Sequence, residues 1–320
     1  MPASSNGEIP SLLPQITDQI VVYLPHLGLP SLLPQITDQI VVYLPHLGLS
    51  TLNTDFPEHF NDVKFVCTGG SSTRMAEYAK LFSALANVPL SGNLCNRTDR
   101  FVMYKTGPVL WVNHGIGMPS ASILLCELFK LLRLACCAEV QFIRLGTCGG
   151  VDVKPGTVVI SSGVVNVALE KHKFVQWIQG KQVKRDALLD SQLGDDLFGT
   201  AAEMQLPVDR GLTFGTDDFY EGQMRLDGPF CDYGEEDKLA FMRQLIQIGV
   251  KNIEMESTCF AALTHRAQFS AAICCVVLVN RMEKDTMGLK ECHGEFEKRP
   301  FQIVSRHIMK KLNSQMNRTI

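Results

Sequence analysis

Strand-like and helix-like segments alternate along this chain from Asp62 onwards, and this alternation constrains the fold more than any other feature. Apolar runs rich in β-branched residues have the length of buried strands, and they cover Val63–Thr68, Val109–Asn113, Glu139–Leu145, Thr157–Val165 and Ala272–Asn280. Helical periodicity covers Arg74–Ala86, Ser120–Leu134, Ala187–Met204, Asp237–Ile248, Ser257–Ala267 and Pro300–Asn313. Gly, Pro, Asp and Asn separate the segments. The pattern predicts an α/β fold, a single domain with a mixed central β-sheet flanked by helices.

An internal repeat precedes this region. Residues 10–29 read PSLLPQITDQIVVYLPHLGL, and residues 30–49 repeat them without a change. Repeat folds need several copies that stack on one another, so two copies do not predict a solenoid. Such identity indicates either a recent duplication or an error in the gene model. We interpret residues 1–42 as a partly disordered N-terminal extension containing the duplicated segment, and residues 43–320 as the folded domain.

Composition excludes several classes of protein. Hydrophobic residues make up 46% of the chain and the net charge is −3, which fits a soluble globular protein rather than a binder of nucleic acid or membrane surfaces. The 11 cysteines lie mostly in apolar runs without C-x-x-C spacing, which predicts reduced thiols in a cytoplasmic protein and no zinc site. No basic residue precedes Lys64, and no apolar run has the length of a membrane span, so neither a signal peptide nor a transmembrane helix is expected.

The segment FYEGQMRLDG, residues 219–228, carries the most specific chemistry. If this segment is extended, Gln223 and Arg225 point to the same side, and Met224 points away. An amide beside a guanidinium matches the edge of a pyrimidine-2,4-dione, because the amide pairs with N3–H and O2 while the arginine donates to O4. Phe219 is then available to stack on the ring. The alternative interpretation is a polar surface loop with one exposed aromatic residue.

Two predicted strands end in groups suited to an anion. Gly69-Gly70 follows the first strand with Arg74 four residues later, and Arg144 leaves another strand with Thr147 three residues later. Backbone N–H groups at glycine approach an anion closely, and a guanidinium binds phosphate oxygens in a bidentate manner. We call the group formed by Gly69, Gly70 and Arg74 the anion cradle. Taken alone, each of these patterns is also typical of an ordinary turn.

Four motifs taken in order resemble the nucleoside phosphorylase-I family, over a range from about Tyr43 to the end of the chain. They are CTGGSSTRM (67–75), IRLGTCGG (143–150), FYEGQMRLDG (219–228) and NIEMES (252–257). The segments DVKFVC (62–67) and FYEGQ (219–223) are most similar to the animal members that act on uridine. The resemblance implies reversible phosphorolysis of uridine by inorganic phosphate to uracil and ribose 1-phosphate, in pyrimidine salvage, without a cofactor or a metal.

The same resemblance implies roles for residues late in the chain. Glu256 is expected to bind the ribose 2′- and 3′-hydroxyls and to stabilise the oxocarbenium character of the transition state, and Met255 to pack on the sugar. Arg281 is expected to assist at O4, and Leu278 and Met287 to close the pocket. The alternatives are a helix N-terminal acid favoured by the dipole for Glu256, and ordinary apolar residues for Leu278 and Met287.

The family pattern also implies sites shared between subunits. Arg100 is expected to reach the phosphate of the adjacent subunit, and His46 to contact the 5′-hydroxyl there. These contacts imply at least a dimer, and the animal-like pattern favours a homodimer. His26 holds the place of His46 in the first copy of the repeat, so either histidine could serve. Cys148 occupies a place where many relatives carry serine or threonine, and we expect it to be sensitive to oxidation beside the phosphate.

Two alternative functions remain. A nucleosidase of the same fold would use water instead of phosphate, and the two predicted phosphate-binding arginines argue against it. A catalytically silent paralogue would act as a binding or regulatory subunit. Against this second alternative stand the intact site residues, which are Arg74, Arg144, Gln223, Arg225 and Glu256.

Overall fold

The computed structural model describes residues 41–287 and 293–316. The first copy of the repeat and most of the second lie outside these ranges, as does His26. The division into an extension over residues 1–42 and a domain over residues 43–320 therefore stays a prediction.

Strands and helices alternate through the described residues. The strands are β1 (Tyr43–Leu44), β2 (Leu49–Ser50), β3 (Phe65–Gly69), β4 (Met103–Thr106), β5 (Val109–Asn113), β6 (Gln141–Gly150), β7 (Val158–Val165), β8 (Lys173–Ile178), β9 (Lys181–Asp186), β10 (Val208–Gly215), β11 (Val250–Glu254) and β12 (Ser270–Asn280). The helices are α1 (Phe56–Phe60), α2 (Ser72–Ala86), α3 (Met118–Leu134), α4 (Ser191–Glu203), α5 (Glu235–Gln247), α6 (Ser257–Arg266) and α7 (His293–Met316), and a 3₁₀ turn covers Glu221–Gln223.

A mixed sheet forms the centre of the molecule and confirms the predicted fold class. Its strand order is β11-β10-β7-β12-β6-β3-β5-β4, with parallel pairs such as β3–β6 and antiparallel pairs such as β4–β5. The far end of β6 also pairs with β11, where Gly149 and Gly150 face Ile253 and Asn252. This extra pairing closes β6, β12, β7, β10 and β11 into a ring and brings β11 next to β6.

Helices cover the sheet on two sides, each with its own apolar core. One core contains α1, α3 and α6 and includes the rings of Phe56, Phe60 and Phe142. The other contains α2, α4 and α7, where Trp111 packs against Phe301 with ring centroids 5.7 Å apart. A smaller cluster joins α5 to β10 and β11. Among the described helices, none is both long and apolar enough to cross a membrane.

Several element boundaries differ from the sequence prediction. Strand β6 continues to Gly150 rather than ending at Leu145, because β12 pairs with it along its whole length and β11 pairs with its end. Arg144 therefore lies inside the strand rather than leaving it. Helix α7 begins well before Pro300, its predicted start. The prediction missed α1 and the short or polar strands β1, β2, β4, β8, β9, β10 and β11, because these lack a long apolar run.

Candidate active site

The anion cradle lies where β3 meets α2. A Cβ atom on Gly69 would lie 2.5 Å from the carbonyl oxygen of Leu145, so only glycine allows this close approach. Ser71 caps α2 by accepting a hydrogen bond from the Arg74 N–H at 3.2 Å. The side chain of Arg74 extends from the first turn of this helix, and its Nη1 lies 2.8 Å from Glu297 Oε1 on α7. Backbone N–H groups and a guanidinium therefore meet at one helix N-terminus, a suitable place for an anion.

A buried cluster of Arg144, Glu254 and Glu256 lies at the junction of β6 and β11. Nη2 of Arg144 lies 2.7 Å from Glu254 Oε2 and also contacts Glu256 Oε2, while Nη1 lies 3.0 Å from the Cys275 sulfur. Burial lowers the pKa of Arg144, but the facing carboxylates outweigh burial and hold that pKa above its ordinary value. Burial raises the pKa of Glu254, although Arg144 opposes this effect. The arginine is thus the shared counterion of two carboxylates that would otherwise be buried without one.

Glu254, rather than Glu256, accepts hydrogen bonds from the backbone N–H groups at the N-terminus of α6. Its carboxylate accepts hydrogen bonds from the N–H groups of Glu256 at 3.0 Å and Ser257 at 2.7 Å. Glu256 occupies the N-cap position, but its side chain makes no capping bond. Its Oε1 accepts a hydrogen bond from the Gly117 N–H at 2.5 Å instead. Glu256 therefore lies at the N-terminus of α6, where the helix dipole favours an acid, and its carboxylate is held between Arg144 and the loop after β5.

His114 belongs to that loop and was missed in the sequence analysis. Its backbone N–H donates to the Gly69 carbonyl at 2.8 Å, and its Nδ1 lies 2.8 Å from the Gly115 carbonyl oxygen. Burial, reinforced by the charges of Arg144 and Arg74, lowers the pKa of the ring to about 3. The imidazole is therefore neutral, and it borders the anion cradle, because a Cβ atom on Gly70 would lie 3.9 Å from its Cε1. The motif His-Gly-x-Gly directly after β5 was the available sequence signal.

The segment that carries Gln223 and Arg225 is a turn, not an extended strand, so the geometric reason given for their alignment is wrong. Met224 adopts a left-handed conformation with φ of 53°, which reverses the chain after the 3₁₀ turn. Both flanking side chains are nevertheless buried, and Met224 packs into the apolar cluster of α5, β10 and β11. The amide nitrogen of Gln223 lies 3.2 Å from Thr216 Oγ1. A tight turn thus buries the two polar groups that an extended segment was expected to align.

Arg281 holds this turn through hydrogen bonds to Gln223. It is fully buried, and its guanidinium donates to Gln223 Oε1 at 3.2 Å, to the Gln223 carbonyl at 2.8 Å and to Asp285 Oδ1 at 2.8 Å. Asp285 also contacts Lys238 Nζ at 2.8 Å and the Leu226 N–H at 2.9 Å. Burial raises the pKa of Asp285, but these partners outweigh it and hold the pKa below its ordinary value. Arg281 therefore fixes both the backbone and the amide of Gln223.

Arg225 presents its guanidinium at the same turn. Nε and Nη2 form a bidentate contact with Asp227, at 2.9 and 2.7 Å. Its central carbon lies 4.2 Å from the centroid of the Phe219 ring, a cation–π contact. One face of Phe219 is thus covered by Arg225, while 43% of the residue remains exposed. The aromatic ring, the amide and the guanidinium of the predicted base-binding motif are therefore close neighbours.

The remaining predicted site residues are described by their burial and packing rather than by polar contacts. Thr147 in β6 and Met255 beside Glu256 are half-buried, and so is Met287 at the edge of the described range. Leu278 lies at a bulge in β12 and packs against the α2, α4 and α7 core. This contact favours the interpretation of Leu278 as an ordinary core residue.

The two residues expected to act across subunits lie on the surface. His46 Nδ1 lies 2.6 Å from Glu127 Oε1 on α3, and 41% of its side chain is exposed. The same carboxylate accepts the backbone N–H of Leu47 at 2.9 Å, so α3 holds the turn between β1 and β2. The side chain of Arg100 is 68% exposed, with Asp99 at 3.6 Å. Neither residue contacts the anion cradle or the turn at Gln223 among the described residues of its own chain.

The structure contradicts the expectation that Cys148 is sensitive to oxidation. The residue is buried, and its thiol lies 3.3 Å from the Val276 carbonyl oxygen. Burial raises the pKa of this thiol well above its ordinary value, so the reactive thiolate is disfavoured.

An anion cradle, a buried arginine–carboxylate cluster and an amide–guanidinium turn, combined on a mixed α/β sheet, define a phosphorylase-type nucleoside site. The family described as "Phosphorylase superfamily" matches residues 64–308, and the chain belongs to that superfamily.

Within this superfamily, the chain is similar to several individual uridine phosphorylases. A "Uridine and thymidine phosphorylase" of Caenorhabditis elegans is 54% identical over 258 residues, which cover 80% of this chain and 87% of that protein. The crystal structure of uridine phosphorylase from Schistosoma mansoni in complex with uracil matches with a TM-score of 0.82 and 38% identity, covering 88% of this chain and 98% of that one. An "Inactive uridine phosphorylase B" of Schistosoma mansoni is 39% identical over 81% of this chain and 88% of that protein. The phosphorylase of Caenorhabditis elegans is more similar to this chain than the inactive relative is, which disfavours the silent alternative.

Proposed function

We propose that this protein catalyses the reversible phosphorolysis of uridine to uracil and ribose 1-phosphate, as an enzyme of the pentosyltransferase class. The observation that carries the proposal is the contact between Arg144 and Glu256 beside the anion cradle. Phosphorolysis requires phosphate to attack C1′ while the neighbouring hydroxyls of the ribose are held. A phosphate-binding cation in contact with a ribose-binding carboxylate supports this arrangement.

The reaction needs no nucleophile from the protein, because phosphate attacks C1′ itself. Gly70, Arg74, Arg144 and Thr147 bind the phosphate. Glu256 binds the ribose hydroxyls and stabilises the positive charge that develops on the ring as the bond to N1 breaks. This charge exists mainly in the transition state, so the carboxylate lowers the barrier rather than only tightening binding. Met255 packs on the sugar.

The leaving base takes up the electron pair of the broken bond and becomes an anion. The Gln223 amide pairs with N3–H and O2, Arg225 donates to O4, and Phe219 stacks on the ring. The buried contacts of Gln223 with Thr216 and Arg281 support this role, because they fix the amide before the base arrives. Arg281 assists at O4 and Met287 borders the pocket, whereas Leu278 belongs to the core that it contacts. The names of the relatives also make thymidine a second candidate substrate.

Release of uracil from uridine, measured with and without inorganic phosphate, tests the proposed function. We expect release only with phosphate, together with formation of ribose 1-phosphate in equal amount. Uracil release at the same rate with and without phosphate would identify a nucleosidase. Absence of release from folded protein in either condition would identify a silent paralogue.

We further propose a cytoplasmic homodimer in pyrimidine salvage that needs no cofactor. Within the described residues all ten cysteines are free thiols, which supports a reducing compartment. The exposure of Arg100 and of the His46 ring supports their contribution to the phosphate and ribose sites of the partner subunit.

Mixing two inactive variants tests the shared sites. Arg100→Ala and Glu256→Ala subunits are each expected to be inactive alone, whereas their heterodimer has one site with both groups intact. We expect part of the wild-type activity to return after subunit exchange, measured as phosphate-dependent uracil release. If exchange is demonstrated and no activity returns, Arg100 does not act across the interface.

A further inference from the structure

Three buried polar atoms around the anion cradle have no hydrogen-bond partner among the described residues: Thr68 Oγ1, His114 Nε2 and Arg144 Nε. Their residues are at most 3% exposed. Thr68 is in register with Arg144 on one side and with Val112 on the other, and His114 lies two residues after Val112. Leaving such a group unpaired is unfavourable. Three of them together, beside a site for an anion, indicate a ligand that pairs with them.

The hydrogen bonds of His114 determine which of its ring atoms can donate. Nδ1 faces the Gly115 carbonyl oxygen at 2.8 Å, and because a carbonyl only accepts, Nδ1 carries the proton. In the neutral ring Nε2 then presents a lone pair and acts as an acceptor. The backbone of His114 is also fixed in place, because its N–H donates to the Gly69 carbonyl and its own carbonyl accepts from Ser120 Oγ at 2.6 Å. The site therefore combines cationic donors with one rigid acceptor.

An acceptor in an anion site discriminates between anions by their protons. Inorganic phosphate remains protonated at neutral pH, whereas sulfate does not, although the two ions have the same shape. We propose that His114 Nε2 accepts a hydrogen bond from a protonated oxygen of the bound phosphate and thereby selects phosphate over sulfate. This proposal rests on the proposed function, in which phosphate is the second substrate. His114 is thus a specificity-determining residue of the phosphate site.

The chain offers a matched pair of substitutions at this position. His114→Asn retains a polar group near Nδ1 and removes the acceptor at Nε2. His114→Gln does the reverse, because its longer side chain places an amide near Nε2. We expect the Asn variant to lose about tenfold or more in the ratio of sulfate inhibition constant to phosphate KM, and the Gln variant to retain most of this ratio. A purely structural role of the Nδ1 bond to Gly115 predicts the opposite order.

Binding without nucleoside provides a second measurement, which the wild-type protein alone can give. We expect phosphate to raise the melting temperature of wild-type protein, and an equal concentration of sulfate to raise it much less. Equal stabilisation by the two anions would overturn the proposal, as would a Gln variant that loses at least as much selectivity as the Asn variant. A change in uridine KM with unchanged phosphate KM would also overturn it, because Nε2 would then face the nucleoside. Uracil release without any dependence on phosphate would refute the proposed function instead.

Discussion

Replacing Arg144 by methionine is expected to destabilise the fold by about 3–5 kcal/mol and to remove measurable phosphorolysis. The substitution keeps an apolar stem of similar length but leaves Glu254 and Glu256 buried at the junction of β6 and β11 without their shared counterion. Glu254 cannot move away, since its carboxylate also holds the first N–H groups of α6. Chemical denaturation gives the stability, and uracil release gives the activity.

A variant that removes all three charges separates the two effects. Arg144→Met combined with Glu254→Gln and Glu256→Gln contains no unpaired charge, and it is an unpaired buried charge that makes the single substitution costly. We expect this triple variant to recover part of the stability, because no charge is left unpaired but the Glu254→Gln amide keeps only one of the two oxygens that accept N–H groups of α6. It should stay inactive, because the phosphate and ribose ligands are gone. If the Arg144→Met substitution alone left the protein as stable as wild type, Arg144 would not be the counterion that stabilises the two carboxylates.

The local parts of the fold could be predicted from the sequence, and the long-range parts could not. Strand β5 and helix α6 were located almost to the residue, because apolar runs and helical periodicity are local signals. The pairing of β11 with the end of β6 joins Gly149 and Gly150 to Ile253 and Asn252, which are distant in the sequence. No local pattern in either segment predicts this pairing. That pairing places Arg144 in contact with Glu254 and Glu256. The sequence therefore predicted Arg144 as a phosphate ligand but did not predict its ion pairs with these two glutamates.

The candidate site shows the same division. Gln223 and Arg225 were identified by chemical type, and both are buried at one turn, although the expected extended backbone was wrong. The left-handed Met224 explains the difference, since a non-glycine residue in this conformation is uncommon and is not expected from sequence. His114 was missed because a single histidine has no partner in the sequence. Its long-range partner, Gly69, becomes visible only when β3 and β5 lie side by side.

Replacing Arg225 by alanine is expected to lower the turnover of uridine by about 10²–10³-fold. The guanidinium is assigned to donate to O4 of a base that becomes anionic as the glycosidic bond breaks. Its position is fixed in advance by Asp227 on one side and by the Phe219 ring on the other. Such a preorganised donor stabilises the transition state more than the bound substrate, so kcat should fall more than uridine binding weakens. Steady-state kinetics at saturating phosphate measure both quantities.

The partner variant Asp227→Asn tests whether Arg225 acts on the base or only holds the turn. It weakens the ion pair but keeps the guanidinium, so we expect a loss of turnover much smaller than that of Arg225→Ala. If Arg225 served only to hold Asp227, the two variants would lose activity equally. An Arg225→Ala enzyme within a few-fold of wild type would remove Arg225 from the base site altogether. Because Arg281, Asp285 and Lys238 anchor the turn independently of Arg225, both variants should retain the fold, and the comparison reports on the chemistry of the leaving base.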